Sequence, residues 1–347
     1  MVNIGIVGIG FMGMVHFLAA SRVGSARVAA LCSRDPKKRA GDWTGIRGNF
    51  GPTGSMMDLS AQSRYAGPSE LFGDPNVDLV DLCVPNDEHS RLAIRALEAG
   101  KHVLVEKPIA LTTREADAML AAAKANGRQL MVAHVLPFFP EFAYAAEAVR
   151  SGRFGILRAA HLTRVIARPD WSAGIADSSR SGGPAIDLHI HDTHFLGLLR
   201  GVPRAVRSCG VVEAGAVAHL TSQYLYDDPN IAVSAVSGAL SQAGRSFSHG
   251  FELYLERASL TYSSANIAGR TEVSPLTLIL PDGTVERPEL GSRDPIDAFA
   301  AELAAAVTAL EQGNVNPALS AELAKQALVV CLAEVESIRT GGLVGVH

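Results

Sequence analysis

Short apolar runs alternate with helix-like segments along the first 125 residues. The apolar runs, rich in Val, Leu and Ile, are Val2–Val7, Arg27–Cys32, Leu79–Val84 and His102–Val105. The helix-like segments between and after them are Met12–Ala20, His89–Ala99 and Arg114–Ala125. Such alternation is typical of a parallel sheet with helices on both faces. We therefore predict an α/β protein with a doubly wound parallel sheet over residues 1–125. The polar segment Ser55–Tyr65 is not assigned.

The pattern changes after Met131, where strand-like segments begin to follow one another. Helix-like Pro140–Ser151 and Pro184–Leu199 flank the long strand-like run Ile156–Ala167. Six strand-like segments come next: Ala205–Glu213, Val217–Tyr226, Ile231–Ala239, Gly250–Leu255, Ser259–Tyr262 and Leu276–Leu280. Two helix-like segments close the chain, Ile296–Gln312 and Ser320–Thr340. Successive strands indicate an antiparallel sheet. Residues 126–347 are predicted to form a second α/β domain with an open, mostly antiparallel mixed sheet.

Composition narrows the class of protein. The chain has 347 residues, enough for about two domains. Its net charge of −4 offers no electrostatic footprint for nucleic acid, and no apolar run approaches the length of a membrane span. The N-terminus enters a strand without a signal-peptide pattern. The four cysteines are far apart in the sequence, so we expect reduced thiols and a cytoplasmic location.

A glycine motif, G-I-G-F-M-G, directly follows the first apolar run. Gly8 permits a tight turn, Gly10 lets a ligand approach the backbone, and Gly13 lets helix and strand pack closely. A helix N-terminus at this turn favours a pyrophosphate, because its unpaired N–H groups and its dipole attract negative charge. The motif predicts dinucleotide contacts at these glycines and at Phe11 and Met12 between them.

Glu106, Lys107 and Pro108 end the strand-like run that begins at His102. In an open α/β sheet, ligands bind beyond the carboxyl ends of the strands. A lysine at that position faces the cofactor crevice, or else it belongs to a solvated surface turn.

Three motifs in order resemble the glucose–fructose oxidoreductase/inositol dehydrogenase (Gfo/Idh/MocA) family. They are the glycine motif, V-E-K-P at 105–108, and G-P-A-I-D-L-H-I-H at 183–191. The resemblance covers nearly the whole chain. It implies a Rossmann domain followed by an α/β domain, and NAD(P)-dependent oxidation or reduction of sugars, cyclitols and related polyols. It also implies a cis peptide before Pro108, and Lys107, Asp187 and His191 as catalytic residues that also bind substrate.

The chemistry of these residue types agrees with that assignment. Residues four apart share a helix face, so Asp187 and His191 would point into one site, with His194 one turn further on. Oxidation of an alcohol needs a base poised near neutral pH, which histidine provides. Lys107 is able to stabilise a developing alkoxide, and Asp187 to hold a substrate hydroxyl. The alternative is a buried Asp–His pair with a structural role.

The chain departs from the family pattern at Pro184 and His189, where glycine is usual. His189, His191, His194 and Asp192 form a dense group of possible zinc ligands. His189 and His191 point apart on a helix, however, and the resemblance implies catalysis without a metal. No metal is therefore predicted.

Two further loops are expected to contact the cofactor. Residues 84–89 resemble the family loop along the cofactor, which implies contacts at Pro85, Asn86 and His89, and the E-K-P turn adds Glu106 and Lys107. Asn86 or Asp87 could equally cap the next helix.

Cofactor choice depends on the end of the second predicted strand. Ser33, Arg34 and Lys38 tolerate a 2′-phosphate, which slightly favours NADP over NAD. Arg34 could also stack on the adenine of NAD, with Asp35 as the acid that binds the ribose.

His134, Arg164 and Trp171 fall on strand ends or loops and are predicted to contact substrate, an aromatic and basic lining that suits a sugar or an acidic sugar derivative. The chain is thus interpreted as a sugar or polyol dehydrogenase. The alternatives are a glycosidase that uses NAD for transient oxidation and elimination, and a non-catalytic cofactor-binding regulator. The open sheet needs cover, so a homodimer or homotetramer is expected.

Overall fold

The computed structural model describes residues 1–48, 50–168, 177–292 and 294–347, with only the backbone of Leu240 and Ser241. The chain divides into two compact units. The first consists of Met1–Phe138 and Ser292–Lys325, and the second of Phe139–Gly291 and Gln326–His347. The expected boundary at 125/126 differs from this division. The first unit extends to Phe138, which adds one more strand, and it also includes the later segment Ser292–Lys325. In the described part of the chain, no helix combines the length and apolarity needed to cross a bilayer.

The first unit is built on a six-stranded sheet in the order β3-β2-β1-β4-β5-β6. The strands are β1 (Val2–Val7), β2 (Ala26–Cys32), β3 (Ser63–Tyr65), β4 (Leu79–Leu82), β5 (His102–Glu106) and β6 (Leu130–Ala133). All pairings are parallel, and the order is that of the Rossmann fold. The predicted doubly wound sheet is confirmed. The sequence analysis missed β3 and β6, which are only three and four residues long.

Helices connect these strands. They are α1 (Phe11–Ala20), α2 (Pro36–Arg39), α3 (Pro68–Phe72), α4 (His89–Glu98) and α5 (Thr113–Asn126). Local chemistry fixes their ends: Thr112 and Glu115 form a capping box at the start of α5, and Gly127 ends it in a left-handed conformation. Near the C-terminus, α10 (Pro295–Gln312) returns to this unit and packs against α1.

The second unit is built on a nine-stranded mixed sheet in the order β14-β13-β12-β11-β7-β10-β9-β8-β15. Its strands are β7 (Leu157–Ala167), β8 (Ala205–Glu213), β9 (Ala216–Leu225), β10 (Ala232–Ser241), β11 (Arg245–Leu255), β12 (Ala258–Ile267), β13 (Arg270–Ile279), β14 (Val285–Glu286) and β15 (Leu343–Gly345). Only the β7–β10 pairing is parallel among the described strands. The open, mostly antiparallel mixed sheet is confirmed.

Helices cover one face of this sheet. They include α6 (Pro140–Arg150), α7 (Ser178–Ser181), α8 (Pro184–Asp187), α9 (Ile190–Arg200) and α11 (Ala321–Thr340). Ala185 of α8 packs on Val217 and Leu220 of β9, together with Val335 and Ile338 of α11. Further along β9, Thr221 and Gln223 are exposed, whereas Tyr224 between Gln223 and the strand end is buried. The apolar residues of β9 therefore face the helices, and polar residues form the uncovered face.

The prediction of a single helix over Pro184–Leu199 was wrong, because the structure has two helices there, α8 and α9. The N–H of His189 donates to the Pro184 carbonyl at 3.0 Å, five residues back, and the N–H of Leu188 donates to the same oxygen at 3.2 Å. This widened turn interrupts the regular hydrogen-bond ladder. The simple i, i+4 relation between Asp187 and His191 is therefore not that of one regular helix.

Candidate active site

The glycine turn has the backbone geometry that a pyrophosphate needs. Gly8 has a φ of +98°, a conformation that favours glycine. A Cβ on Gly13 would lie 2.0 Å from the Gly8 carbonyl oxygen, so only glycine lets α1 start this close to β1. A Cβ on Gly10 would meet no atom within 4 Å among the described residues. Space is thus left beside Gly10 at the N-terminus of α1, whose first turn has no acidic residue.

The loop after β2 is held by hydrogen bonds between its side chains and its own backbone. Asp35 caps α2 by accepting from the N–H of Lys37 at 2.9 Å, while its own N–H donates to the Ser33 hydroxyl at 3.2 Å. Arg39, which the sequence analysis did not select, donates to the Ser33 carbonyl at 2.6 Å and to that of Arg34 at 3.0 Å. The side chain of Arg34 is exposed. Asp35 is thus engaged in a cap, and Arg34 is directed to solvent.

His89 connects two loops at the carboxyl edge of the parallel sheet. It opens α4, and Pro85 precedes the short 3-10 helix Asn86–Glu88 before it. Its ring is buried, with Nδ1 2.7 Å from the Pro108 carbonyl and Nε2 3.0 Å from the Val84 carbonyl. Burial lowers the pKa of His89, so the neutral ring donates to one of these carbonyls at a time. His89 ties the loop after β4 to the E-K-P turn.

The E-K-P turn presents Lys107 at the same edge of the sheet as the glycine turn. The predicted cis peptide between Lys107 and Pro108 is confirmed. Lys107 is half-buried, and its backbone N–H donates to Glu106 Oε2 at 3.1 Å. The glycine turn, the Ser33 loop, Pro85–His89 and Lys107 all follow carboxyl ends of parallel strands in the first unit.

A buried ionisable cluster lies behind this edge. His16 of α1 places Nδ1 2.8 Å from Asp81 Oδ2 and Nε2 3.2 Å from Glu106 Oε1. Glu302 of α10 places Oε2 4.0 Å from His16 Nε2, and the Cys83 sulfur lies 3.6 Å from His16 Nδ1. Burial disfavours charge on His16, but Asp81 and Cys83 raise its pKa well above the usual value. The sequence analysis missed this cluster, because its members come from four separate segments.

In the second unit, Asp187 and His191 are less buried than the polar residues around them. Both are half-buried, whereas His189, Asp192 and His194 are buried. Burial lowers the pKa of His194 to about 3, so this ring stays neutral near pH 7 and is poorly suited to act as a base. Asp187 and His191 are therefore the polar residues of this motif that reach the surface of the unit.

The buried side chain of His189 makes polar contacts with two other buried residues. Its Nε2 lies 3.0 Å from the Tyr224 hydroxyl and 3.1 Å from Glu334 Oε1. Burial lowers the pKa of His189, but the Glu334 carboxylate outweighs it and the net shift is upward. His189 thereby anchors the turn between α8 and α9 to β9 and α11.

The predicted substrate residues have different surroundings. Arg164 is buried and forms a two-pronged ion pair with Asp192, whose carboxylate also accepts from Ser237 at 3.1 Å. His134 is fully buried after β6. Trp171 lies outside the described residues. The substrate contacts of Arg164 and His134 stay predictions, and the Arg164 guanidinium already has a carboxylate partner.

Together, the Rossmann sheet and its glycine turn define a dinucleotide-binding class of protein. A family model described as "Oxidoreductase family, NAD-binding Rossmann fold" matches residues 2–134. The chain is 30% identical to 1,5-anhydro-D-fructose reductase of Ensifer adhaerens over 85% of its own length and 91% of that protein. It belongs to the Gfo/Idh/MocA family of oxidoreductases.

Other relatives extend over almost the full chain. Inositol 2-dehydrogenase of Rhizobium meliloti is 26% identical over 97% of this chain and 98% of that one. A levoglucosan dehydrogenase solved with NADH and levoglucosan has a TM-score of 0.79 at 20% identity, covering 99% of both chains. The aldose-aldose oxidoreductase of Caulobacter crescentus has a TM-score of 0.81 at 22% identity, covering 99% of both chains. At these identities, the two structural comparisons show the fold.

We expect the substitutions Gly10→Ala and Gly13→Ala to have separate effects. Gly10→Ala keeps the melting temperature but weakens NADH and NADPH binding about tenfold, because its methyl group occupies the space beside the turn. Gly13→Ala lowers the melting temperature, because its methyl group meets the Gly8 carbonyl. Thermal unfolding and fluorescence titration measure both. Gly24→Ala, whose Cβ also meets nothing, is the control. Wild-type affinity in Gly10→Ala would contradict this site.

Glu302→Gln is expected to stabilise the protein in a pH-dependent way. Burial raises the pKa of Glu302 well above its ordinary 4.5, so stability is lost as pH rises from about 4.5 towards the folded-state value. The neutral amide removes this loss and raises the free energy of unfolding at pH 7, with little change at pH 4. Denaturant unfolding at both pH values measures the difference. Exposed Glu311→Gln on the same helix is the control, and equal effects of the two variants would refute the assignment.

Proposed function

We propose that the protein is an NAD(P)-dependent oxidoreductase acting on a CH–OH group of a sugar, cyclitol or related polyol. The observation that carries this proposal is the placement of Lys107 at the same sheet edge as the glycine turn. Relatives named anhydrofructose reductase and inositol 2-dehydrogenase support the substrate class. When bound, the nicotinamide supplies the group that accepts or donates hydride.

The proposed roles follow from the residue types and their surroundings. His191 takes the hydroxyl proton in the oxidation direction, since it is half-buried while His189 and His194 are buried. Lys107 donates a hydrogen bond to the same substrate oxygen and stabilises its developing negative charge. Asp187 accepts from a neighbouring hydroxyl and orients the substrate. Lys107 belongs to the first unit, and Asp187 and His191 belong to the second.

For the cofactor, we propose NADP with NAD as the alternative. Exposed Arg34 and nearby Lys38 suit a 2′-phosphate, and Asp35, the nearest acid, already caps α2. Pro85, Asn86, His89 and Glu106 contribute to the same binding site.

Two alternative functions remain distinguishable. A glycosidase using transient oxidation would keep its reduced cofactor bound, so net release of NADH or NADPH argues for the dehydrogenase. A cofactor-binding regulator would show no turnover. The presence of Lys107, Asp187 and His191 together favours an enzyme.

We also propose that the protein forms a homodimer or homotetramer. The apolar residues of β9 face the helices of the second unit. The large exposed apolar residues on the sheet strands include Val211, Val212 and Tyr254, at 44%, 55% and 38% exposure. Light scattering at micromolar concentration tests this, and a monomer would contradict it.

His191→Ala is expected to lower kcat by about 10²–10⁴ while leaving NADPH affinity nearly unchanged, because it removes a base from the second unit only. Activity is first located by screening sugars and cyclitols with NAD and NADP, following the nicotinamide absorbance. The control is His161→Ala, an exposed histidine of the same unit. Near-normal turnover of His191→Ala would show that another group is the base.

Ser33→Asp is expected to weaken NADPH binding more than NADH binding, because its carboxylate repels the 2′-phosphate. The new side chain retains an acceptor for the Asp35 N–H, so the loop keeps its hydrogen bond. Ser25→Asp adds the same charge at the opposite end of β2 and serves as the control. Unchanged NADPH affinity in Ser33→Asp would refute the placement of the ribose.

A further inference from the structure

We propose that His16 is a positioning residue for Lys107, acting through the carboxylate of Glu106. Four groups are joined in a line by successive polar contacts: Asp81, His16, Glu106 and the backbone N–H of Lys107. The distances along it are 2.8 Å from Asp81 Oδ2 to His16 Nδ1, 3.2 Å from His16 Nε2 to Glu106 Oε1, and 3.1 Å from Glu106 Oε2 to Lys107 N. This inference rests on the proposed function, in which Lys107 contacts substrate.

Each ring nitrogen of His16 faces a carboxylate. Nδ1 is hydrogen-bonded to Asp81, and Nε2 makes an ion-pair contact with Glu106 that is not aligned as a hydrogen bond. A protonated imidazole carries hydrogen on both nitrogens and therefore suits both carboxylates. The other ionisable groups facing the ring are Cys83, whose pKa burial raises, and Glu302, whose pKa is also raised by burial. Burial thus disfavours charge on Cys83 and Glu302, whereas Asp81 and Cys83 favour charge on His16.

Glu106 divides its two oxygens between His16 and Lys107. Oε1 faces the imidazolium, and Oε2 accepts from the lysine N–H. Glu106 is only 7% exposed, so its charge depends on these partners rather than on water. Without His16, a buried carboxylate loses its counter-charge and is free to turn, and the backbone that carries Lys107 loses its anchor.

His16 also belongs to the helix that starts at the glycine turn. The same residue therefore joins the helix that receives the cofactor to the turn that presents the lysine. His89 holds the following residue, Pro108, through its carbonyl. Two buried histidines thus fix the turn on either side of the Lys107–Pro108 peptide, His16 by charge and His89 by a backbone contact.

Two substitutions of His16 by amide residues distinguish a positioning role of this residue from a purely structural role. The side-chain nitrogen of His16→Gln reaches the place of Nε2 and keeps a donor towards Glu106. That of His16→Asn reaches the place of Nδ1 and keeps a donor only towards Asp81. Both remove the charge, so a merely structural role predicts similar behaviour of the two folded variants.

Two readouts test the proposal, and the first needs no substrate. Amide hydrogen exchange is measured across the E-K-P turn, with β1 as the internal reference. We expect faster exchange at Lys107 in His16→Asn than in His16→Gln, with β1 unchanged. In steady-state kinetics, we expect kcat of His16→Asn to fall about 10- to 100-fold, with NADPH affinity and substrate KM changing less. We expect kcat of His16→Gln to fall less, because this variant keeps a donor towards Glu106.

The outcomes are distinct. Faster exchange at Lys107 without turnover on any sugar or polyol would retain the positioning role and overturn the proposed function. Turnover with equal exchange and equal kcat in both variants would overturn the positioning role. If His16→Asn does not fold, Asp81→Asn replaces it, because it weakens the same line three contacts away from Lys107. A stoichiometric metal in the wild-type protein that His16 variants lose would also overturn the proposal.

Discussion

The close packing of Gly13 on the Gly8 carbonyl is the contact on which the first unit depends. A Cβ at Gly13 would come within 2.0 Å of that oxygen, so α1 leaves β1 at a separation that only glycine allows. This contact aims the N-terminus of α1 at the carboxyl edge of the sheet, where anions are favoured. It also brings His16, one turn further along α1, against Asp81 and Glu106 at the ends of the neighbouring strands.

In both units, buried ionisable side chains are paired with other buried ionisable or polar side chains. In the first unit, His16 is balanced by Asp81 and Glu106. In the second, His189 contacts Glu334 and Tyr224, and Arg164 pairs with Asp192. A buried charge without its partner costs several kcal/mol, so each group constrains the backbone around it. The half-buried Asp187, His191 and Lys107 stand beside these fixed groups.

Local patterns were sufficient to predict most of the fold. The apolar run before Gly8 predicted β1, and Ala205–Glu213 was predicted with the bounds that β8 has. Strands of three or four residues such as β3 and β6 carry too little periodicity to stand out. The break at Leu188 and His189 was not predicted from the sequence. It coincides with the contact of buried His189 with Glu334, a partner that is distant in the sequence.

The candidate site was predictable only where its residues are close in sequence or form a known motif. The glycine turn and the E-K-P turn are such segments, and the structure places both at the carboxyl edge of one sheet. Glu302 could not be predicted as a neighbour of His16, since α10 returns to the first unit after the whole second sheet. Arg164 was predicted from its place among strand ends and loops, and only the structure shows its partner Asp192.

Transfer of a label from substrate to cofactor tests the central claim most directly. A polyol that the protein turns over is prepared with deuterium on the carbon that bears the reacting hydroxyl. It is incubated with the oxidised cofactor, and the released cofactor is analysed by mass spectrometry. The account predicts reduced cofactor that carries one deuterium, in amounts that exceed the enzyme. Substrate conversion without any labelled reduced cofactor in solution would contradict it.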